Sequence, residues 1–248
     1  MLPAEGDERL EQRLRVFAVP VALAIAFLLC AFGARFLLRI FCAMWVHELG
    51  HAVTAWLCGF LAFPGPWLTP MTASRSVLFS LLLIAALAYG AFARPAWRWV
   101  FITLVALQII CTAFLSLAAA RELVIFMGDG GCLILGTLLM LTLHVSPESS
   151  LHKGWLRWGF LAIGAAAFAD VFSQWWGARK DPDLIPFGMN EGAGLSDPSV
   201  LSETYGWSAD LIVHRYILLG CACLLVLLAA SLLALRHARS TSHRARTC

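Results

Sequence analysis

Charge is what this sequence has least of. Asp, Glu, Lys and Arg make up 13% of its 248 residues, about half of the roughly one quarter usual in soluble domains, while 60% are hydrophobic and mean hydropathy is +0.80. So few charges cannot cover a water-facing surface, and the class implied is an integral membrane protein whose surroundings are the lipid bilayer. The net charge of +3 is spread over segment ends and the C-terminal tail. No basic face or run is present, so nucleic acid is excluded as an expected partner. Internal repeats and low-complexity segments are absent. A secretory signal peptide is not legible: Ala4 to Arg15 is acidic and basic by turns, and the apolar run after it is longer than a signal h-region. The first span is therefore expected to stay as an anchor.

A disulfide framework is not indicated either, despite eight cysteines. Cys30, Cys42, Cys58, Cys111, Cys132, Cys221 and Cys223 lie in or at the ends of apolar segments and read as small core residues, and Cys248 is the last residue. Cys42 and Cys58 share a segment with two histidines, at helical offsets that do not suit a thiolate ligand.

What is abundant is long apolar sequence. Taking about 20 residues per span, candidate segments fall near 17–38, 40–61, 76–93, 99–119, 122–145, 155–176 and 211–235. The fold class expected is all-α, a polytopic transmembrane helix bundle of about six to seven membrane helices. Leu10, Leu14 and Phe17 recur at helical spacing among charged residues, giving an amphipathic lead-in over 1–16. One transmembrane domain then spans 17–235, and a basic tail follows at 236–248. Phe63-Pro64-Gly65-Pro66 and Arg94-Pro95 break the helical pattern. The longest polar stretch, 177–210, contains Asp197-Pro198, an N-cap and N1 pair that predicts a short helix over 198–204.

Against this apolar background stands His47-Glu48-Leu49-Gly50-His51. On a helix, His47 and His51 project from one face, where both rings can bind one metal, and Glu48 sits within reach of a metal-bound water. Ionisable groups inside membrane segments are rare and point to function. A catalytic zinc site takes three protein ligands and leaves a fourth position open, so a partner must come from elsewhere. The candidates in apolar segments are Asp129, Asp170, Glu122, His144 and His214. Asp129 is flanked by glycines in Gly128-Asp129-Gly130-Gly131, a composition suited to a ligand loop inside a membrane. At 1.5 Å of rise per residue, Asp129 and His51 lie within roughly 5 Å of one level in the bilayer. Asp170 is not excluded by depth.

The run His47 to Ala52, with Gly59 after it and Asp129-Gly130-Gly131 opening a later apolar segment, resembles the site-2 protease family of intramembrane zinc metallopeptidases. The likeness covers about 40 residues, taken over the segments that carry the two motifs. The family has an asparagine-proline or proline-rich run before its Asp-Gly, where this chain has Phe126-Met127-Gly128. The resemblance implies Zn²⁺ held by His47, His51 and Asp129, with Glu48 as catalytic base and a membrane protein as substrate. It carries no PDZ-like or nucleotide-sensing insertion with it.

Rival classes fit less well. Membrane di-iron hydroxylases need many histidines, and of seven here only His47 and His51 form a close pair in an apolar segment. Prenyl-protein peptidases take a downstream glutamate as third ligand, for which Glu122 beside Arg121 is the candidate, and its Arg neighbour suggests an interfacial ion pair instead. The non-enzyme alternative is a membrane scaffold or metal-handling protein that keeps the metallopeptidase fold. Seven spans with Arg236, Arg239, Arg244 and Arg246 on the inner side give ten basic residues inside, Lys153 among them, against eight outside. The expected location is a bacterial inner membrane with the C-terminus in the cytoplasm.

Overall fold

The structure, a computed structural model, describes residues 5–145, 149, 151, 155–190 and 194–247, with side chains beyond Arg236 and before Leu14 left aside. Arg15 and Lys153, the side chains of the lead-in over 1–13, and Arg239, Arg244, Arg246 and Cys248 of the basic tail lie outside the residues so described. The fold is all-α. Its helices are α1 (Glu5–Ala31), α2 (Arg35–Leu38), α3 (Met44–Leu57), α4 (Val77–Ala93), α5 (Arg98–Phe114), α6 (Leu117–Leu141), α7 (Leu156–Ala178), α8 (Asp197–Glu203) and α9 (Ala209–Thr247). A two-residue antiparallel pair, Met189–Asn190 with Gly194–Leu195, precedes α8.

Among the described residues, five helical stretches are long and apolar enough to cross a bilayer: Arg35–Leu57, Pro95–Phe114, Leu117–His144, Leu156–Ala178 and Ala209–Arg236. Val16–Ala31 and Val77–Ala93 are shorter apolar helices. The protein is a multi-pass membrane protein. The break between the first two apolar segments falls earlier than the run of hydrophobic residues predicts, at 32–34, because Gly33 takes φ +87° and turns the chain there. From Arg35 the backbone then stays helical to Leu57, with one π-helical turn at Arg39–Ala43.

Two compact units are built from this chain. The first comprises Met1–Ala43, Cys132–Ile185 and Val213–Cys248. Here α1 lies along α7, whose Ala165, Ala167, Phe168, Ala169 and Val171 are buried. Gly136 and Gly164 bring the backbones of α6 and α7 together: a Cβ on Gly164 would stand 2.5 Å from the Gly136 carbonyl oxygen. Such small-residue crossings replace the hydrophobic effect as the source of helix association in lipid. Trp175 stacks on Tyr216 with ring centroids 4.4 Å apart. Asp170 is fully buried and receives hydrogen bonds from Arg35 Nε at 2.7 Å and Arg39 Nη1 at 3.1 Å, and Gln174 also accepts from Arg35.

The second unit comprises Met44–Gly131 and Pro186–Ile212. Its apolar core gathers Ala55, Cys58, Phe60, Ala120 and Val124. Helix α3 ends in a Schellman motif: Gly59 takes φ +85°, Phe60 N donates to Ala55 O at 2.9 Å and Gly59 N donates to Trp56 O at 3.0 Å. The chain then makes a narrow loop closed by the Ala62–Met71 bridge, and Ser76 caps α4 by accepting from Phe79 N at 3.2 Å. Arg75 satisfies carbonyls at the end of α5, those of Leu115 at 2.8 Å and Thr112 at 3.2 Å among them.

Candidate metal centre

All the side chains of the candidate site belong to the second unit. Helix α3 carries His47, Glu48 and His51, and the four-residue spacing puts the imidazoles on one face with centroids 4.7 Å apart. That face meets α6. Gly50 and Gly131 make the contact close, since a Cβ on Gly50 would stand 2.2 Å from the Met127 carbonyl oxygen and 2.8 Å from Gly131 Cα. The glycine run 128–131 is therefore not a loop, as its composition suggests. It continues α6 as regular helix, and its missing side chains admit α3 and the two rings.

Each histidine is oriented through Nδ1. His47 Nδ1 lies 3.0 Å from Asp129 Oδ1, and His51 Nδ1 lies 2.7 Å from the Val124 carbonyl oxygen. A carbonyl can only accept, so His51 carries a proton on Nδ1, which leaves Nε2 to bind either a metal ion or a second proton. The Asp129 carboxylate fixes the same tautomer on His47. Both Nε2 atoms point into one space, 3.1 Å apart. Asp197 Oδ2 completes the group at 3.1 Å from His47 Nε2 and 3.1 Å from His51 Nε2.

His47, His51 and Asp197 are thus the described residues whose donor atoms converge. Three electron-pair donors this close repel one another unless protons or a cation stand between them. For zinc bonds of about 2.0–2.1 Å, tetrahedral donors stand about 3.3–3.4 Å apart, close to the observed spacing. A Cβ on Gly128 would fall 2.6 Å from His51 Nε2 and 2.7 Å from Asp197 Oδ2, so the space beside the donors exists because residue 128 has no side chain. Burial works to raise the pKa of the Asp197 carboxyl, yet the His51 and His47 rings, when protonated, outweigh it and hold the group below the usual carboxylate range. The donor set of two imidazoles and one carboxylate suits a borderline divalent ion.

Glu48 is 4% exposed, and its Oε2 lies 2.8 Å from the Thr69 hydroxyl, which is also 2.9 Å from the Glu48 carbonyl oxygen. It lies on the same helical turn as His47 and has Thr69 as its own hydrogen-bond partner. Asp129, expected as a third ligand, lies beside His47 on its Nδ1 side, whereas the carboxylate facing Nε2 belongs to Asp197. Asp170 is engaged with Arg35 and Arg39 in the first unit. Glu122 accepts from Trp207 Nε1, which explains it without a metal.

Asp197 reaches the site because the segment around it is latched locally. Ser196 N donates to Gly188 O at 2.9 Å, Gly188 N donates to Ser199 Oγ at 2.9 Å, and Trp207 packs on Phe126 of α6. Ser196, not Asp197, is the N-cap residue of α8, and Pro198 follows inside the first turn. The displacement by one residue leaves the Asp197 side chain to the histidines. The sequence signal was the Asp-Pro pair itself, which reads as a helix start and gives no hint of a long-range partner. No family model, curated protein or solved structure matches this chain.

Proposed function

We propose that the protein is an intramembrane zinc metalloprotease resembling the site-2 protease family, hydrolysing peptide bonds in or near transmembrane segments of other membrane proteins. The observation that carries this reading is the meeting of His47 Nε2, His51 Nε2 and Asp197 Oδ2 at 3.1 Å beside a buried Glu48 from the same helix turn. His47, His51 and Asp197 would hold the ion, and Asp129 would act behind His47 by fixing its tautomer. When bound, zinc supplies Lewis-acid polarisation of the scissile carbonyl and acidifies water towards neutrality. Glu48 accepts the proton of the attacking water and later gives it to the leaving amine. A helical substrate hides its carbonyls in i to i−4 bonds, so the segment must unwind before attack. The proposed setting is a bacterial inner membrane with the basic tail in the cytoplasm.

The decisive experiment measures metal content and cleavage of a transmembrane reporter together. Glu48→Gln keeps zinc and abolishes cleavage, because the glutamate carries protons and is not a ligand. His47→Ala and His51→Ala lose both. Stoichiometric metal with no cleavage of any membrane substrate, and Glu48→Gln silent in cells, rejects the protease and favours a scaffold or metal-handling role.

A further inference from the structure

His47 and His51 stand together on α3, whereas Asp197 comes from the separate segment 186–212 and reaches both rings at 3.1 Å. We propose that Trp207 is the positioning residue of the metal site: its bond to Glu122 and its seat on Phe126 dock this segment on α6 before any ion binds, so that docking and metal binding are coupled steps. This rests on the reading of His47, His51 and Asp197 as a divalent-metal site.

The bonds from Ser196 N to Gly188 O and from Gly188 N to Ser199 Oγ lie within the segment, so they shape it without tying it to another helix. At Asp197 the segment meets the imidazoles. With neither proton nor cation between them these three donor atoms repel, and that contact does not hold the segment by itself. At Trp207 it meets α6: the indole N–H donates to Glu122 Oε1, and the ring centroid lies 5.7 Å from that of Phe126, one turn further along the same face. Trp207 is 8% exposed, so water competes little for its N–H. The indole is fastened to α8 in turn, since Trp207 N donates to Leu201 O at 3.0 Å and Gly206 N donates to Ser202 O at 3.1 Å. Fixing the indole therefore fixes the helix that begins at Asp197. Glu122 and Gly128, the glycine beside the donors, are about 9 Å apart along α6, so removal of the indole N–H takes no ligand from the metal. What it takes is the population of the docked form, and apparent affinity falls with that population.

The test uses the full chain in detergent with Co²⁺ as the probe metal. Trp207→Phe keeps a ring on Phe126 and removes the N–H donor, and it binds Co²⁺ about 10-fold to 100-fold more weakly than wild type. Glu122→Ala does the same from the other side of the bond, while Glu122→Gln, which keeps a carbonyl acceptor, restores wild-type affinity. Gly159→Ala, at a helical glycine with open space around it, leaves affinity unchanged. In an Asp197→Ala background Trp207→Phe has no further effect, because no ligand remains to be positioned. Hydrogen exchange of the α8 amides in the metal-free protein is faster in Trp207→Phe, and Co²⁺ slows it again, as linkage between docking and binding requires. Wild-type affinity in Trp207→Phe, or the same factor lost with and without Asp197, overturns the proposal and leaves Trp207 a packing residue. Should Trp207→Phe fail to fold, Glu122→Ala against Glu122→Gln decides it by the same comparison. A wild-type protein that takes up no Co²⁺, or histidine and Asp197→Ala variants that bind it as well as wild type, overturns the metal reading beneath it instead.

Discussion

The hydroxyl of Thr69 lies 2.8 Å from Glu48 Oε2 and 2.9 Å from the carbonyl oxygen of the same residue. It has one proton to give, and when Oε2 receives it the bond holds the carboxylate in one orientation over its own helical turn. On the proposed protease reading, Thr69→Val, which keeps the shape and removes the hydroxyl, is expected to lower kcat by about 10-fold to 100-fold through misplacement of Glu48. KM and zinc content should stay as they are, and Thr69→Ser should restore the rate. Undiminished cleavage by Thr69→Val removes Thr69 from the proposed catalytic arrangement.

Asp129 and Asp197 touch the same histidine at different nitrogens, and their removal should be distinguishable by metal affinity. Asp129→Ala costs about 10-fold to 100-fold, the usual effect of losing a group that orients a ligand. Asp197→Ala costs more, since it takes away a donor atom. Competition with a chelator of known affinity orders the two variants. The reverse order would make Asp129 the ligand and Asp197 an outer partner.

Asp170 serves stability. Its carboxylate is fully buried, and Arg35 and Arg39 are each about one-third exposed, with side-chain exposures of 34% and 33%. Breaking a buried ion pair costs about 3–5 kcal/mol, and partial solvation of both guanidinium groups reduces this to about 2–3 kcal/mol for Asp170→Asn. Thermal unfolding in detergent reads the loss. Loss of metal binding in the same variant would instead return Asp170 to the candidate metal site.

At the crossing of α3 and α6, the three nearest obstacles to a Cβ on Gly50 are all backbone atoms, which no rotamer change can clear. Gly50→Ala should therefore destabilise the protein by about 3 kcal/mol or more, although Ala is the better helix former by about 1 kcal/mol. Unfolding midpoints of Gly50→Ala and Gly159→Ala, measured side by side, should move in opposite directions.

The readable parts of this protein were those set by local spacing. Apolar runs of membrane length announced the helices, and the i, i+4 spacing of His47 and His51 announced a shared face. Proline and glycine marked the ends of α3 and α4, while the first turn came at Gly33 because a positive φ, and not the end of an apolar run, turned the chain. Depth counting brought Asp129 to the level of the histidines but could not say which ring nitrogen it would meet, a choice made by side-chain direction on α6. Asp197 was illegible for another reason. Its partners lie about 150 residues earlier in sequence, and its local grammar, an Asp before Pro, is satisfied by a plain helix start. The glycines around Asp129 suggest backbone freedom, yet inside a helix their use is the room they leave to a neighbour.

The two histidines are held from behind by different kinds of group, and sequence drift acts on them differently. The acceptor behind His51 is the main-chain oxygen of Val124, which every amino acid at that position supplies as long as α6 stays helical. The acceptor behind His47 is the side chain of Asp129, which a single codon change deletes. In a saturation library scored for metal retention, position 124 should accept any apolar residue that fills the core, while position 129 should tolerate almost nothing. One ring is insured by the polymer backbone, and the other is exposed to mutation.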